Sequence, residues 1–262
     1  METDSISRQP LWLILVLLLA LLLGAVWLGW VLGQKDRKDT DESELSQVRG
    51  LQGAMLGLLA LLLGFTFSMA VQRFDARRDL IVNEANSIGT AYLRADVADE
   101  PERSALRQLL SRYVDVRVEF YKAGIDEAKQ DAINAQSDRL HEELWRLTVA
   151  VAARKPGPVT ALLVASINEV IDTHGLRLAS LRNHVPALIF WLLFAVAALT
   201  SGLTGYAAGF GRRPGWLPTL TVLLIISLVI IVILDIDRPR RGLIQTGQSS
   251  MLDLQKGMLP HP

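Results

Sequence analysis

Apolar residues fall into four blocks separated by charge-dense stretches. Residues 11–32, 51–71, 185–210 and 216–234 carry no charge over 22, 21, 26 and 19 positions respectively. The hydrocarbon core of a bilayer takes about 20 helical residues, so each block predicts a membrane-spanning helix. Trp12, Trp27, Trp30, Trp191 and Trp216 sit mostly near block ends, where amphipathic rings prefer the interface. The first block is too long for the roughly 7–15-residue core of a signal peptide, and no clear small-x-small cleavage site follows it, so it is read as a span.

Between blocks two and three the period becomes helical. Leu80, Ile81, Ala85, Ile88 and Tyr92 form one stripe. Asp99-Glu100-Pro101 marks a helix restart. Leu106, Leu109, Leu110, Tyr113, Val114, Arg117, Phe120 and Tyr121 form a second stripe, ended at Gly124. A third contains Ile125, Ala128, Ala132, Ile133, Leu140, Leu144, Trp145 and Thr148, with Trp145 expected in the core. Lys155-Pro156-Gly157-Pro158 stops it. Leu162, Leu163, Ile167, Ile171, His174, Leu178 and Leu181 form a fourth, expected to run on into the third span. No stretch alternates long enough for a strand.

The fold class is therefore an all-α membrane protein, with four transmembrane helices and a cytoplasmic helical bundle continuous with spans two and three. The division is 1–10 as a tail, 11–72 as a hairpin with spans 11–32 and 51–71, 73–184 as the bundle, 185–234 as a second hairpin with spans 185–210 and 216–234, and 235–262 as a tail. Nothing between Phe65 and Ile88 breaks a helix, so span two is expected to leave the bilayer intact, its backbone hydrogen bonds made. Arg8, Arg73, Arg77, Arg78, Arg177, Arg182, Arg238, Arg240 and Arg241 flank one side of the spans. Lys35, Arg37, Lys38, Arg49, Arg212 and Arg213 flank the other. The excess of basic residues puts the bundle and both termini in the cytoplasm.

Charge then narrows the chemistry. Lys and Arg number 27 against 27 Asp and Glu, which argues against a nucleic-acid partner. The absence of cysteine excludes disulfides, thiolate metal sites and a Cys nucleophile. The four histidines, His141, His174, His184 and His261, show no ligand spacing in sequence, and His174 on its apolar stripe reads as a core histidine. No nucleotide-binding, hydrolase or metalloprotease motif occurs, so neither an enzyme nor a cofactor is expected. Asp235 and Asp237 beside Arg238 read as an interfacial charge cluster. Gly202, Gly205, Gly209 and Gly211 read as packing positions. The spans hold no buried Asp, Glu, Lys, Arg or His, which argues against an ion-coupled transporter and leaves a passive pore open.

Span two carries the pore candidates. Gly53, Gly57, Ala60, Gly64 and Ser68 share one helical face suited to close packing. Beside it Leu61 and Phe65, at i and i+4, would form a hydrophobic constriction. Thr66 and Ser68 would be wetted. Ser68, Arg73, Arg77 and Arg78 would make a positive mouth, which favours inorganic anions.

The stretch LGFTFSMAVQRFDARR (63–78) resembles the bestrophin neck and the helix after it, through Leu63, Gly64, Phe65, Arg73, Phe74 and Arg78. Bestrophins are pentameric anion channels with four spans and a helical cytoplasmic part continuous with span two. The resemblance implies a homo-oligomer, a pentamer in the bestrophin pattern. Two of the three neck rings match, as Leu61 and Phe65; the third falls on Gly57, which would shorten or widen the constriction. The bestrophin tail after span four, with its calcium-binding carboxylates in animal members and its second constriction, has no counterpart in residues 235–262, so neither is carried over. NEANSIGTAYLRAD (83–96) and DIDRPRRGLIQTGQSSMLDL (235–254) resemble a family of uncharacterised bacterial membrane proteins described as bestrophin-like. That implies a bacterial inner-membrane location. The leading expectation is a bestrophin-like oligomeric passive channel with anion preference. The competing one is a structural or signalling membrane protein whose bundle docks a partner.

Overall fold

A computed structural model describes residues 9–37, 41–211, 216–238, 244 and 246–258. Among these the chain forms eight α-helices, one 3-10 turn and no strand. The helices are α1 (Leu11–Asp36), α2 (Glu42–Arg94), α3 (Glu102–Lys122), α4 (Glu127–Arg154), α5 (Pro158–Arg182), α6 (Ala187–Gly209), α7 (Trp216–Asp237) and α8 (Ser249–Met258). Four helical stretches are long and apolar enough to cross a membrane, and they contain the four blocks of the sequence. The chain is an all-α membrane protein. It divides into two units, Met1–Gln72 with His184–Arg238, and Arg73–Asn183 with Pro239–Pro262. The 53-residue α2 is unbroken through the boundary.

In the first unit, α1 packs along α6 and also against α7. Glycine makes the α1–α6 approach possible. A Cβ at Gly29 would strike the backbone of Gly202, and one at Gly205 would strike that of Val26. One at Gly209 would come within 2.7 Å of the Trp30 carbonyl oxygen. Small residues at such crossings let backbones close to van der Waals contact where lipid offers no hydrophobic drive. Gly202, Gly205 and Gly209 thus do the packing their spacing predicts. Leu22, Leu59, Leu193 and Ile230 complete the interior.

The second unit is a helical bundle around Ile88, Leu106, Leu110, Tyr113, Leu144, Leu163 and Ile167, all buried. α3 ends at Lys122 with Ala123 as its C-cap, and Gly124 follows with φ +57°. That left-handed turn suits glycine, as the sequence signal implied. Asp126 then caps α4, accepting from Lys129 N at 3.1 Å.

Three details differ from the sequence reading. α5 does not run into span three, because residues 183–186 are non-helical. Pro186 has no N–H to donate and disfavours helix at the residue before it. Trp145 is not core but 40% exposed. The buried face of α4 is Ser137, Leu140, His141, Leu144, Thr148 and Val151, and Trp145 lies one step round from Leu144, at its edge. The third difference is α8, which the tail was not expected to contain. It packs on α3, with Met251 fully buried and Gln255 Nε2 donating to Asp115 Oδ1 at 2.7 Å. Of the flanking basic residues, Arg8, Lys38, Arg212, Arg213, Arg240 and Arg241 lie outside the described residues.

Candidate functional site

Within the first unit, α2 turns a narrow side inward, through Leu59, Thr66 and Ala70. Its other face is open. Leu61 is 54% exposed and Phe65 64% exposed, and Ser68 is exposed beside them. A Cβ at Gly53, Gly57 or Gly64 would meet nothing within 4 Å. The small-residue face is therefore not used for packing inside one chain. Thr66 departs from its expected wetted position: it is buried, and its hydroxyl donates to the Leu62 carbonyl at 2.7 Å. On the inward side a cleft of about 230 Å³ is lined by Gln52, Leu56, Thr204 and Leu223, with Gln52 Nε2 donating to Thr204 Oγ1 at 3.2 Å.

The three arginines after span two have different surroundings. Arg78 is exposed, and Arg73 donates to Asn183 Oδ1. Arg77 is buried. At 100° per residue along α2, the line through Leu61 and Phe65 continues over Ser68, Gln72, Asp75 and Asp79, all exposed.

The bundle holds a polar cluster that no sequence motif announced. Glu84 of α2 is fully buried. It accepts from Arg117 Nε at 2.7 Å, from Tyr113 Oη at 3.2 Å and from Arg177 Nη1. His174 Nδ1 lies 3.1 Å from Tyr113 Oη, and the His174 ring centroid is 4.9 Å from that of His141. Burial alone would raise the Glu84 pKa, but the charges of Arg117 and Arg177, with the hydrogen bond from Arg177, hold it well below the usual carboxylate range. Burial pushes His141 down to about 4, helped by His174 and Arg117. Burial and the neighbouring Glu84 keep the Tyr113 phenol protonated far above its ordinary range. His174 is the core histidine its stripe suggested; Glu84 and His141 were missed. The available signal was a lone carboxylate three residues after Ile81 and four before Ile88, in the middle of an apolar stripe.

Asp235 and Asp237 are buried. Asp237 Oδ1 accepts from Val185 N at 3.0 Å, and His184 Nδ1 lies 3.1 Å from the Asp237 carbonyl oxygen. The pair of loop residues before α6 is thereby tied to the end of α7. Among the described residues no group of His, Asp and Glu is arranged to hold a metal.

A crystal structure of a variant membrane protein aligns over 94% of this chain and 96% of its own, with a TM-score of 0.61 at 12% identity, a likeness of fold. No curated protein matches the sequence. The model of the bestrophin-like domain matches residues 16–251, which takes in most of the first span, the other three spans, the bundle and most of the described tail. The chain belongs to the bestrophin-like family.

Proposed function

We propose that this protein is a homo-oligomeric passive ion channel, with α2 of each copy facing the pore and Leu61 and Phe65 forming its constriction. One observation carries the reading: a membrane helix leaves Leu58, Leu61, Phe65 and three glycines open on one side, in a chain of the bestrophin-like family. A ring of such side chains gates by excluding water. The two termini and the bundle are on the cytoplasmic side of a bacterial inner membrane, and the permeant ions are inorganic anions. Arg78 and Arg73 are the groups that favour anions. Asp75 and Asp79, which continue the Leu61–Phe65 line, act against them.

The test is ion flux into proteoliposomes at equal oligomer content. Phe65→Ala and Leu61→Ala widen the ring and raise flux over wild type. Ala60→Leu, on the small-residue face, breaks assembly. Reversal potentials in a salt gradient give the sign of selectivity: Arg78→Glu lowers the anion share and Asp79→Asn raises it. A cation-selective wild type overturns the anion assignment. A monomeric protein that passes no ion, with none gained in any variant, moves the assignment to a bundle that docks a partner.

A further inference from the structure

Buried donors without acceptors are rare, and each calls for an occupant. The bundle core holds several at one place. The Arg117 side chain is fully buried, and only its Nε reaches Glu84. Both of its Nη atoms, and the Nε2 atoms of His141 and His174, have no hydrogen-bond partner. The Phe120 ring lies 4.6 Å from the guanidinium carbon. It covers the guanidinium face, but guanidinium N–H bonds lie in the plane, so a ring over that plane does not accept them. The His141 ring centroid lies 4.8 Å from that of Tyr113, whose hydroxyl shares Glu84 Oε1 with Arg117 Nε.

The charge count points to what the occupant is. Glu84 is the one carboxylate paired with both Arg117 and Arg177 among the described residues. With neutral imidazoles the cluster carries one uncompensated positive charge in a fully buried setting, which is costly unless neutralised. Tautomers assign the donors. Tyr113 Oη–H donates to Glu84, so His174 Nδ1–H donates to the Tyr113 oxygen, and His174 Nε2 is left as an acceptor. His141 Nε2 is free to carry a proton and donate.

We propose that the bundle core binds one small inorganic monoanion of chloride size, held by Arg117 Nη1 and Nη2 and by His141 Nε2. The ion completes the charge balance of the Glu84–Arg117–Arg177 group. This site lies in the bundle and does not depend on whether the spans conduct.

The experiment uses the full chain in detergent at pH 7 and constant ionic strength, with gluconate exchanged for chloride. Wild type melts higher in chloride, saturably, by about 3–6 °C. In His141→Phe, which removes one donor and no charge, the chloride concentration for half the shift rises about tenfold or more. Arg117→Met loses the shift altogether. Bromide exchanged into crystals of the wild type gives an anomalous peak between Arg117 and His141, a readout that needs no variant to fold. Equal melting of the wild type in chloride and gluconate, a shift that survives unchanged in both variants, or water in place of bromide at Arg117 each overturns the proposal. Ion flux through the membrane enters none of these readouts, so failure here is separable from failure of the channel.

Discussion

At the scale of the residue, Glu84 decides the chemistry of the bundle. Replacing it by Gln leaves Arg117 and Arg177 buried without their carboxylate, and breaking such a pair costs about 3–5 kcal/mol. Glu84→Gln should lower the melting temperature steeply or abolish purification. His141 gives a pH signature. It faces Glu84 from α2, Tyr113 and Arg117 from α3, and His174 from α5. Folded, it titrates near 4; unfolded, near the ordinary value of about 6.5. The unfolded chain therefore binds more protons between those values, and stability is full above about pH 6.5 and falls as pH drops toward 4, by about 3 kcal/mol. Glu84, whose folded pKa is depressed, adds a further loss once the pH falls below about 5. Melting curves in gluconate, without a small anion at His141, from pH 7 to 4.5 should show the slope in wild type and a shallower one in His141→Phe. Trp145 tests the corrected register: Leu144→Ala should cost about 2–5 kcal/mol, whereas Trp145→Ala should stay within about 1 kcal/mol.

At the scale of the element, period and partner were not equally legible. The spacing of Ile81, Ala85 and Ile88 was enough to give the buried face of α2 beyond the membrane, because burial of one face imposes a 3.6-residue repeat. The same spacing could not give the role of Glu84, whose partners lie 33 and 93 positions away and leave no local trace. Trp145 misled because an apolar residue at the edge of an arc looks like one inside it. The glycines show the same asymmetry. Those of α6 and those of α2 read alike in sequence, yet Gly205 touches the backbone of α1 and Gly57 touches nothing. Gly205→Val should therefore prevent α1 and α6 from closing and destroy the folded protein. Gly57→Val should leave one chain intact and disturb only contacts between copies, as size-exclusion profiles of the two variants would report.

At the scale of the whole molecule, the four spans were readable because charge is absent from them for lengths that match a bilayer. The cytoplasmic placement proposed from the basic flanks is open to a direct check. The chain has no cysteine, so single cysteines at Glu143 on the bundle and Ser43 at the start of α2, both exposed, can be probed with an impermeant thiol reagent on intact cells. Labelling at Ser43→Cys and not at Glu143→Cys is the outcome expected for a cytoplasmic bundle.

The position of α8 sets an order of events during synthesis. Helices α3, α4 and α5 emerge from the ribosome before spans three and four, yet the core they build around Met251 stays open until the segment following α7 has been made. Tyr121 likewise waits for the Thr246 carbonyl. Until then α3 presents an apolar strip with no cover, and a nascent chain in that state is a substrate for chaperones and proteases. Completion of the bundle is in this way tied to completion of span four: a chain stalled before its last membrane helix carries its own mark of incompleteness on the outside.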